Sequence, residues 1–347
     1  MQTNKIKKSR YGKVVSRIIW ILSSFFKQWS EYGFHIAWNG LLWWIGTYGK
    51  KPSIYSKALD KLTCYLDDYF ERNYSDIISN YINVNISKRG GLNSIPLNNY
   101  PIWVFWAQGE SSMPKVVRAC YMRLKKYNRN VTLITKENIE NYVHLPMAIY
   151  EKVSKGDISY THLSDILRLT LLAERGGMWV DSTCFTPYAI PIEAKGMLFC
   201  SPHNSNINNA ETIKDIGHWC GLGGGWRSWN LGTNEANTPL FLFCRDMIQA
   251  IAVRQKCMPC YLMVDCMIQY AYRKIKDARM MIDSTPDCNL RSADLLLLYF
   301  NKNKKYNEGE YQNLIDKDWI FKLTYKSIWK ETIGCTPTFY GKLICNL

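Results

Sequence analysis

The sequence lacks the short signatures that most readily name an enzyme. It has no Gly-rich phosphate loop ending in Lys-Ser/Thr, no Gly-x-Ser-x-Gly nucleophile turn and no His-Glu-x-x-His zinc helix. P-loop, serine-hydrolase and zinc-protease chemistries therefore have no support. Twelve cysteines among 347 residues are too sparse and too irregular for a disulfide framework, which leaves reduced thiols in a cytosolic compartment. The lone CxxC, Cys257 and Cys260 with Cys266 nearby, finds no second pair and no His at zinc-finger spacing. It reads as free thiols. No RNA-binding sheet signature, zinc finger or basic recognition helix is present either, so the nucleic-acid partner that a net charge of +15 permits has no motif behind it. Finally, residues 1–30 contain seven basic residues and no acidic one.

What is present fits a folded chain of about two domains. Hydrophobic residues make up 47% and charged residues 21%, and the aromatic share is high at 14%. A basic excess implies an anionic partner: nucleic acid, a lipid surface or a phosphorylated substrate. The basic start followed by apolar Ile18–Phe26 has the order of a signal peptide. However, Lys27 to Glu31 follow it without a small-residue cleavage site, which argues against cleaved export. Val15, Ile18, Leu22, Phe25 and Trp29 recur at helical spacing and form one stripe. Such a helix suits either an anionic membrane surface or the protein's own core. Tyr32–Gly49 runs 18 residues without Asp, Glu, Lys or Arg, marginal for a span and interrupted by Gly33, Gly40 and Gly46. Residues 56–82 read as helical and 87–99 as a linker. The expected division is 1–95, a basic helical region, and 96–347.

From Pro101 strands alternate with helices. Ile102–Trp106 and Val131–Thr135 read as buried strands, with a helix between them capped by Ser112 and Pro114 and ending near Tyr127. Together they make a βαβ unit. Thr161 opens the next helix, which stops at Gly176-Gly177 before the short strand Met178-Trp179-Val180. Asp181 ends that strand. Ligands of open α/β sheets bind at the carboxyl ends of strands, so this carboxylate is a candidate on position alone. On the preceding helix, His162, Asp165 and Arg168 fall roughly on one face. They form either a site or an ordinary Asp–Arg pair on a solvated face.

Thr161-His162-Leu163-Ser164-Asp165-Ile166-Leu167-Arg168, followed by Gly176-Gly177-Met178-Trp179-Val180-Asp181-Ser182-Thr183, resembles the donor-site signature of GT-A glycosyltransferases that carry an Asp-x-Asp motif. The large clostridial glucosylating toxins share it, and the bacterial capsular polysaccharide synthesis family is the nearest likeness. Trp103–Glu110 resembles that family's opening strand, and Phe241–Asp265 and Trp319–Lys326 do so more weakly. The resemblance covers about residues 96–330. It implies an α/β, GT-A-like, Rossmann-type nucleotide-diphospho-sugar transferase domain with helical N-terminal and C-terminal additions.

The resemblance also implies roles. Trp106 would lie against the nucleotide base, with Gln108, Gly177, Ser182, Thr183, Trp229 and Asn230 also contributing to donor binding. Asp165 would accept from sugar or ribose hydroxyls, and Arg168 would hold sugar or phosphate oxygens. Asp181 would bind, directly or through water, a divalent cation, Mn²⁺ or Mg²⁺, bridging the diphosphate of a nucleotide-sugar donor. Thr183 replaces the second carboxylate of Asp-x-Asp, which weakens that position as a ligand. Asp265 either joins the metal site or caps and pairs structurally. Gly221–Trp226 is either a flexible turn or a loop closing over the substrates, where Trp226 or Trp229 could stack on a sugar. The expected protein is a retaining, metal-assisted glycosyltransferase acting on a glycan or lipid-linked glycan. It would be cytoplasmic, at the inner face of the cytoplasmic membrane, with peripheral membrane contact through residues 1–50 and no specific nucleic acid. The alternatives are a non-catalytic membrane-associated scaffold with a degenerate transferase domain, for which Thr183 is the only hint, and a basic nucleic-acid binder.

Overall fold

The structure is a computed structural model that describes residues 10–82, 93–96, 99–191, 228–284 and 293–345. The Gly221–Trp226 segment and most of the 87–99 linker lie outside those residues. Four helices come first: α1 (Arg10–Tyr32), α2 (Phe34–Tyr48), α3 (Pro52–Asn73) and α4 (Ser75–Ile78). Then follow β1 (Asn93–Ser94), β2 (Ile102–Phe105), α5 (Lys115–Tyr127), β3 (Val131–Ile134), α6 (Met147–Lys155), α7 (Tyr160–Arg175) and β4 (Gly177–Val180). After them come β5 (Cys184–Phe185), β6 (Asn230–Thr233), β7 (Glu235–Ala236), α8 (Pro239–Arg254) and α9 (Met263–Lys274). Strand β8 (Phe321–Lys322) lies in the C-terminal part.

The central sheet has the order β3-β2-β4-β6. Strands β2, β3 and β4 are parallel, with Ile102 opposite both Val131 and Met178. Strand β6 runs antiparallel to β4, Asn230 facing Val180. The expected βαβ unit is therefore formed, through α5. Ser112 does not cap that helix. Its hydroxyl donates to the Gly109 carbonyl at 2.8 Å, and Pro114 holds the capping position. The next helix opens one residue before Thr161, because Ser159 accepts from the His162 N–H and caps it.

Strand alternation sorts the core onto two faces. Trp103, Phe105, Trp179 and Leu231 pack with α7, α8 and α9. Ile102, Val104, Met178 and Val180 pack on the other face with Val117, Tyr121 and Leu124 of α5. The helices before residue 95 join the first of these clusters: Leu59, Leu62, Leu66 and Phe70 form one buried face of α3 within it. Residue 95 thus marks a change in secondary structure, while the hydrophobic core runs across it.

Helix α1 is amphipathic as expected, and Phe25 is the buried member of the five-residue stripe. Val15, Ile18, Leu22 and Trp29 are exposed. Packing against the protein's own core therefore accounts for little of that stripe. Helix α2 is 15 residues long, and no helix among the described residues is long and apolar enough to cross a membrane. The free-thiol reading of Cys257, Cys260 and Cys266 agrees with the structure.

Candidate functional site

The parallel strands β2 and β4 end at the same sheet edge, and β6, running the other way, begins there. Trp106, Asp181, Trp229 and Asn230 are brought together by this topology alone. The Asp181 N–H donates to the Trp229 carbonyl at 3.0 Å, and the Cys184 N–H closes a turn on the Asp181 carbonyl at 2.8 Å. Half-buried Ser182 and buried Thr183 lie in that turn, and Gln108 is exposed just past Trp106.

Gly177, expected to contribute to donor binding, opens β4 at the end of the strand opposite Asp181. What fixes it as glycine is its backbone: φ is +88°, and a Cβ would sit 2.4 Å from the Pro101 carbonyl oxygen.

Helix α7 supplies the buried charges, and the solvated-face alternative for them fails. Arg168 lies between two carboxylates, with Nη1 at 3.1 Å from Asp165 Oδ1 and Nη2 at 3.1 Å from Asp181 Oδ1. Its guanidinium also stands 5.2 Å from the Trp179 ring centroid. Trp179 Nε1 donates to the same Asp181 Oδ1 at 2.8 Å. The fork of Arg168 is thus spent on positioning the two carboxylates, and its Nε is buried without a partner among the described residues.

The other oxygen of Asp181 goes to a residue that the sequence reading did not name. Lys322 Nζ lies 2.6 Å from Asp181 Oδ2. It gets there because β8 pairs with β5, setting Lys322 opposite Cys184. Its neighbours Phe321 and Leu323 are buried, and its ammonium sits 5.9 Å over the buried Trp229 ring. That burial leaves Trp229 as support for Lys322 instead of an exposed face for a sugar. The signal for Lys322 was a single cation inside the apolar run Trp319-Ile320-Phe321-Lys322-Leu323. Three residues on, Tyr325 meets Trp106 edge-on, with ring centroids 5.4 Å apart. Trp106 is half-buried, its Nε1 held by Ser112 Oγ at 3.1 Å.

Asp265 Oδ2 accepts from Ser228 Oγ at 3.1 Å, while its Oδ1 is buried without a partner among the described residues. Both amide atoms of buried Asn230 are in the same condition. Buried polar groups left so are costly, and they suit a ligand or water. Tyr261 borders the site: burial raises its hydroxyl, and it feels the charges of Asp165, Lys322, Asp181 and Arg168. Its ring stacks on Trp43 of α2 at 5.7 Å.

Electrostatics separate the carboxylates. Burial pushes Asp165 up to about 7, against the pull of Arg168, and the charges of Asp181 and Asp265 add to the rise. Burial likewise lifts Asp265 to about 6, opposed by the Ser228 hydrogen bond. Burial would raise Asp181 as well, but Lys322 and Arg168 outweigh it and hold Asp181 below its usual range. The Lys322 ammonium shifts upward, since Asp181 overcomes the effect of burial. Burial lowers His162 to about 4, so it is neutral near pH 7.

As arranged, these donors do not fit a divalent ion on Asp181. Mg²⁺ bound directly at about 2.0–2.1 Å from Oδ2 would share that oxygen with the Lys322 ammonium at 2.6 Å, placing two cations side by side. The other oxygen already accepts from Trp179 and Arg168. Among the described residues no group of three or more His, Cys, Asp or Glu side chains could hold a metal ion.

Comparison with known proteins gives a match to a family model and matches to solved structures. No curated protein sequence matches. Among solved structures the chain is similar to one described as "PaToxG Glycosyltransferase", at 15% identity and a TM-score of 0.36, covering 73% of this chain and 99% of that one. The family model described as "Capsular polysaccharide synthesis protein" matches residues 50–343. That span takes in α3, the sheet, the Arg168–Asp181–Lys322 cluster and most of the C-terminal part. The chain belongs to the capsular polysaccharide synthesis protein family.

Proposed function

We propose that this protein is a glycosyltransferase with a GT-A-like fold. It moves a sugar from a nucleotide-diphosphate donor to a growing surface polysaccharide, capsular or O-antigen-like, with retention at the sugar carbon. The supporting observation is the seating of Asp181 at the carboxyl end of β4, bonded to Lys322 and Arg168, with Trp106 at the end of the adjoining strand. The nucleotide base lies against Trp106 and Tyr325, and aromatic faces suit that task. Asp165 and the open Oδ1 of Asp265 receive ribose or sugar hydroxyls. Negative charge grows on the departing nucleoside diphosphate, and the positive side of the cluster stabilises it. The test is slow donor hydrolysis without acceptor, across UDP-, GDP- and dTDP-linked sugars, with and without Mn²⁺ or Mg²⁺. At least one donor turns over, and Asp181→Asn abolishes it. Failure of every donor to bind or react, with or without metal, overturns the reading.

The acceptor in this reading is a glycan or lipid-linked glycan met at the inner face of the membrane. The exposed apolar residues of α1, together with Phe34 and Trp38 of α2, support it, as do the seven basic and zero acidic residues among 1–30. The full chain floats with vesicles containing anionic phosphatidylglycerol and does so less in high salt, whereas Trp20→Asp with Phe26→Asp stays in solution. If the wild type ignores such vesicles and forms a dimer that the same substitutions break, this face is a protein interface.

A further inference from the structure

We infer that Lys322 stands where a divalent cation would otherwise act, so that the transferase neutralises its leaving diphosphate with its own ammonium and needs no metal ion. This rests on the glycosyltransferase reading and concerns how the same site handles charge.

Three observations carry it. First, both oxygens of Asp181 already face donors: Oδ2 the Lys322 ammonium, and Oδ1 Trp179 and Arg168. A metal bound directly to Oδ2 would share that oxygen with a salt-bridged lysine and be repelled by its charge. Second, the position two residues after Asp181, where a second carboxylate would complete an Asp-x-Asp pair, holds neutral Thr183. The turn after Asp181 therefore adds no second carboxylate, and Asp181 itself faces two cations, Lys322 and the Arg168 that it shares with Asp165. Third, Lys322 is held in place. Its N–H donates to the Ala293 carbonyl at 2.8 Å, and the next N–H, from Leu323, donates to the Thr183 carbonyl at 2.9 Å. The strand carrying the ammonium is stitched to the turn that follows Asp181. Fixed charge aimed at the place where charge develops is the effective form of electrostatic catalysis.

Asp181 takes one of the three N–H donors of the ammonium, so two remain for phosphate oxygens. In the reaction, the bond between the sugar's anomeric carbon and the terminal phosphate oxygen breaks, and its electron pair stays on that oxygen. The acceptor hydroxyl, or water in hydrolysis, forms the new bond to the carbon and gives its proton to the departing diphosphate oxygen. Lys322 keeps its protons throughout and acts by charge and hydrogen bonds.

The experiment uses the full-length protein freed of metal, with the donor that turns over in the panel above. Hydrolysis is followed in EDTA and in Mn²⁺, and binding of the matching free nucleoside diphosphate is measured by calorimetry under the same two conditions. Turnover and affinity in EDTA should stay within about threefold of those in Mn²⁺. Lys322→Met, which keeps the stem and removes the charge, should lose about 10²–10³-fold in turnover, the scale of one lost charge-stabilising donor. It should also bind the diphosphate at least tenfold more weakly, while remaining folded at the assay temperature with a lowered melting temperature. Lys322→Arg, which retains the charge should the Met variant fold poorly, should keep metal-free binding. Loss of turnover and diphosphate binding in EDTA, restored by Mn²⁺, overturns the inference and leaves the transferase reading standing. So does a Lys322→Met variant of undiminished activity. If no nucleotide binds under either condition, both readings fall.

Discussion

Arg168 offers the most demanding test of the site's electrostatics. Arg168→Met keeps a hydrophobic stem against Trp179 and removes the fork that bonds Asp165 and Asp181. Removing one partner of a buried ion pair costs about 3–5 kcal/mol, which is a large part of a typical 5–15 kcal/mol total. At about 2 °C per kcal/mol for a chain of this size, the melting temperature falls by roughly 5–10 °C. The pH dependence separates this cause from simple repacking. Asp165 in the folded protein titrates at about 7, above its ordinary 3.8. Its stabilising contribution is therefore complete below the unfolded value and is lost as pH rises through 7. Burial is the main cause of that rise, and Arg168 opposes it, so the Met variant titrates higher still. Below pH 7 both proteins hold Asp165 largely protonated and the gap between them stays constant. Above pH 7 only the variant must keep the proton, at about 1.4 kcal/mol per pH unit. Between pH 6 and pH 8.5 the gap widens by about 1.5 × 1.4, or roughly 2 kcal/mol. Chemical denaturation at the two pH values measures it. A gap below about 1 kcal/mol that is equal at both would show that Arg168 is a solvated surface group and would refute the reasoning.

Other substitutions test neighbouring claims. In wild type, unfolding free energy falls as pH rises from 5 to 7, because the folded protein keeps protons on Asp165 and Asp265 that the unfolded chain has already released. In Asp165→Asn that slope is shallower by up to about 1.4 kcal/mol per unit, read by denaturant titration. Trp106→Ala weakens nucleoside diphosphate binding by about 1–3 kcal/mol, the worth of one aromatic–base stack, in calorimetry. An unchanged Kd would remove Trp106 from the site. Gly177→Ala combines a left-handed backbone with a Cβ 2.4 Å from Pro101 O. The backbone strain alone costs about 1–3 kcal/mol, so the melting temperature should fall well before any direct effect on donor affinity. A melting temperature within 1–2 °C of wild type would mean that the β4 entry can relax.

Much of the site was legible because its signals are local. The short apolar strand ending in Asp181 needs only strand pattern and a glycine stop to be recognised, and the i, i+3 spacing of Asp165 and Arg168 predicts their contact. Spacing is silent on depth, so the same pair could have been an exposed one; only the packing of α7 against α8 and β4 decides it. Lys322 lay beyond local reasoning, since β8 carries it to Asp181 from 141 residues away. The stripe on α1 shows a related limit. Leu22 and Phe25 are equally apolar, yet one is exposed and the other buried, and the neighbouring helices settle which is which.

The bond between Lys322 and Asp181 has a consequence for how the protein is made. A nascent chain that has just released β4 and α7 already contains Asp165, Arg168 and Asp181, but the ammonium that completes their balance has yet to be synthesised. Contacts closed over so long a loop form late, after the local helices and the βαβ unit. During that interval Asp181 answers to Arg168 and Trp179 alone, and its second oxygen is open to water. The cluster is complete only when its C-terminal segment docks, so a ribosome-stalled or proteolytically shortened chain would carry the site's outline with one of its two cations missing.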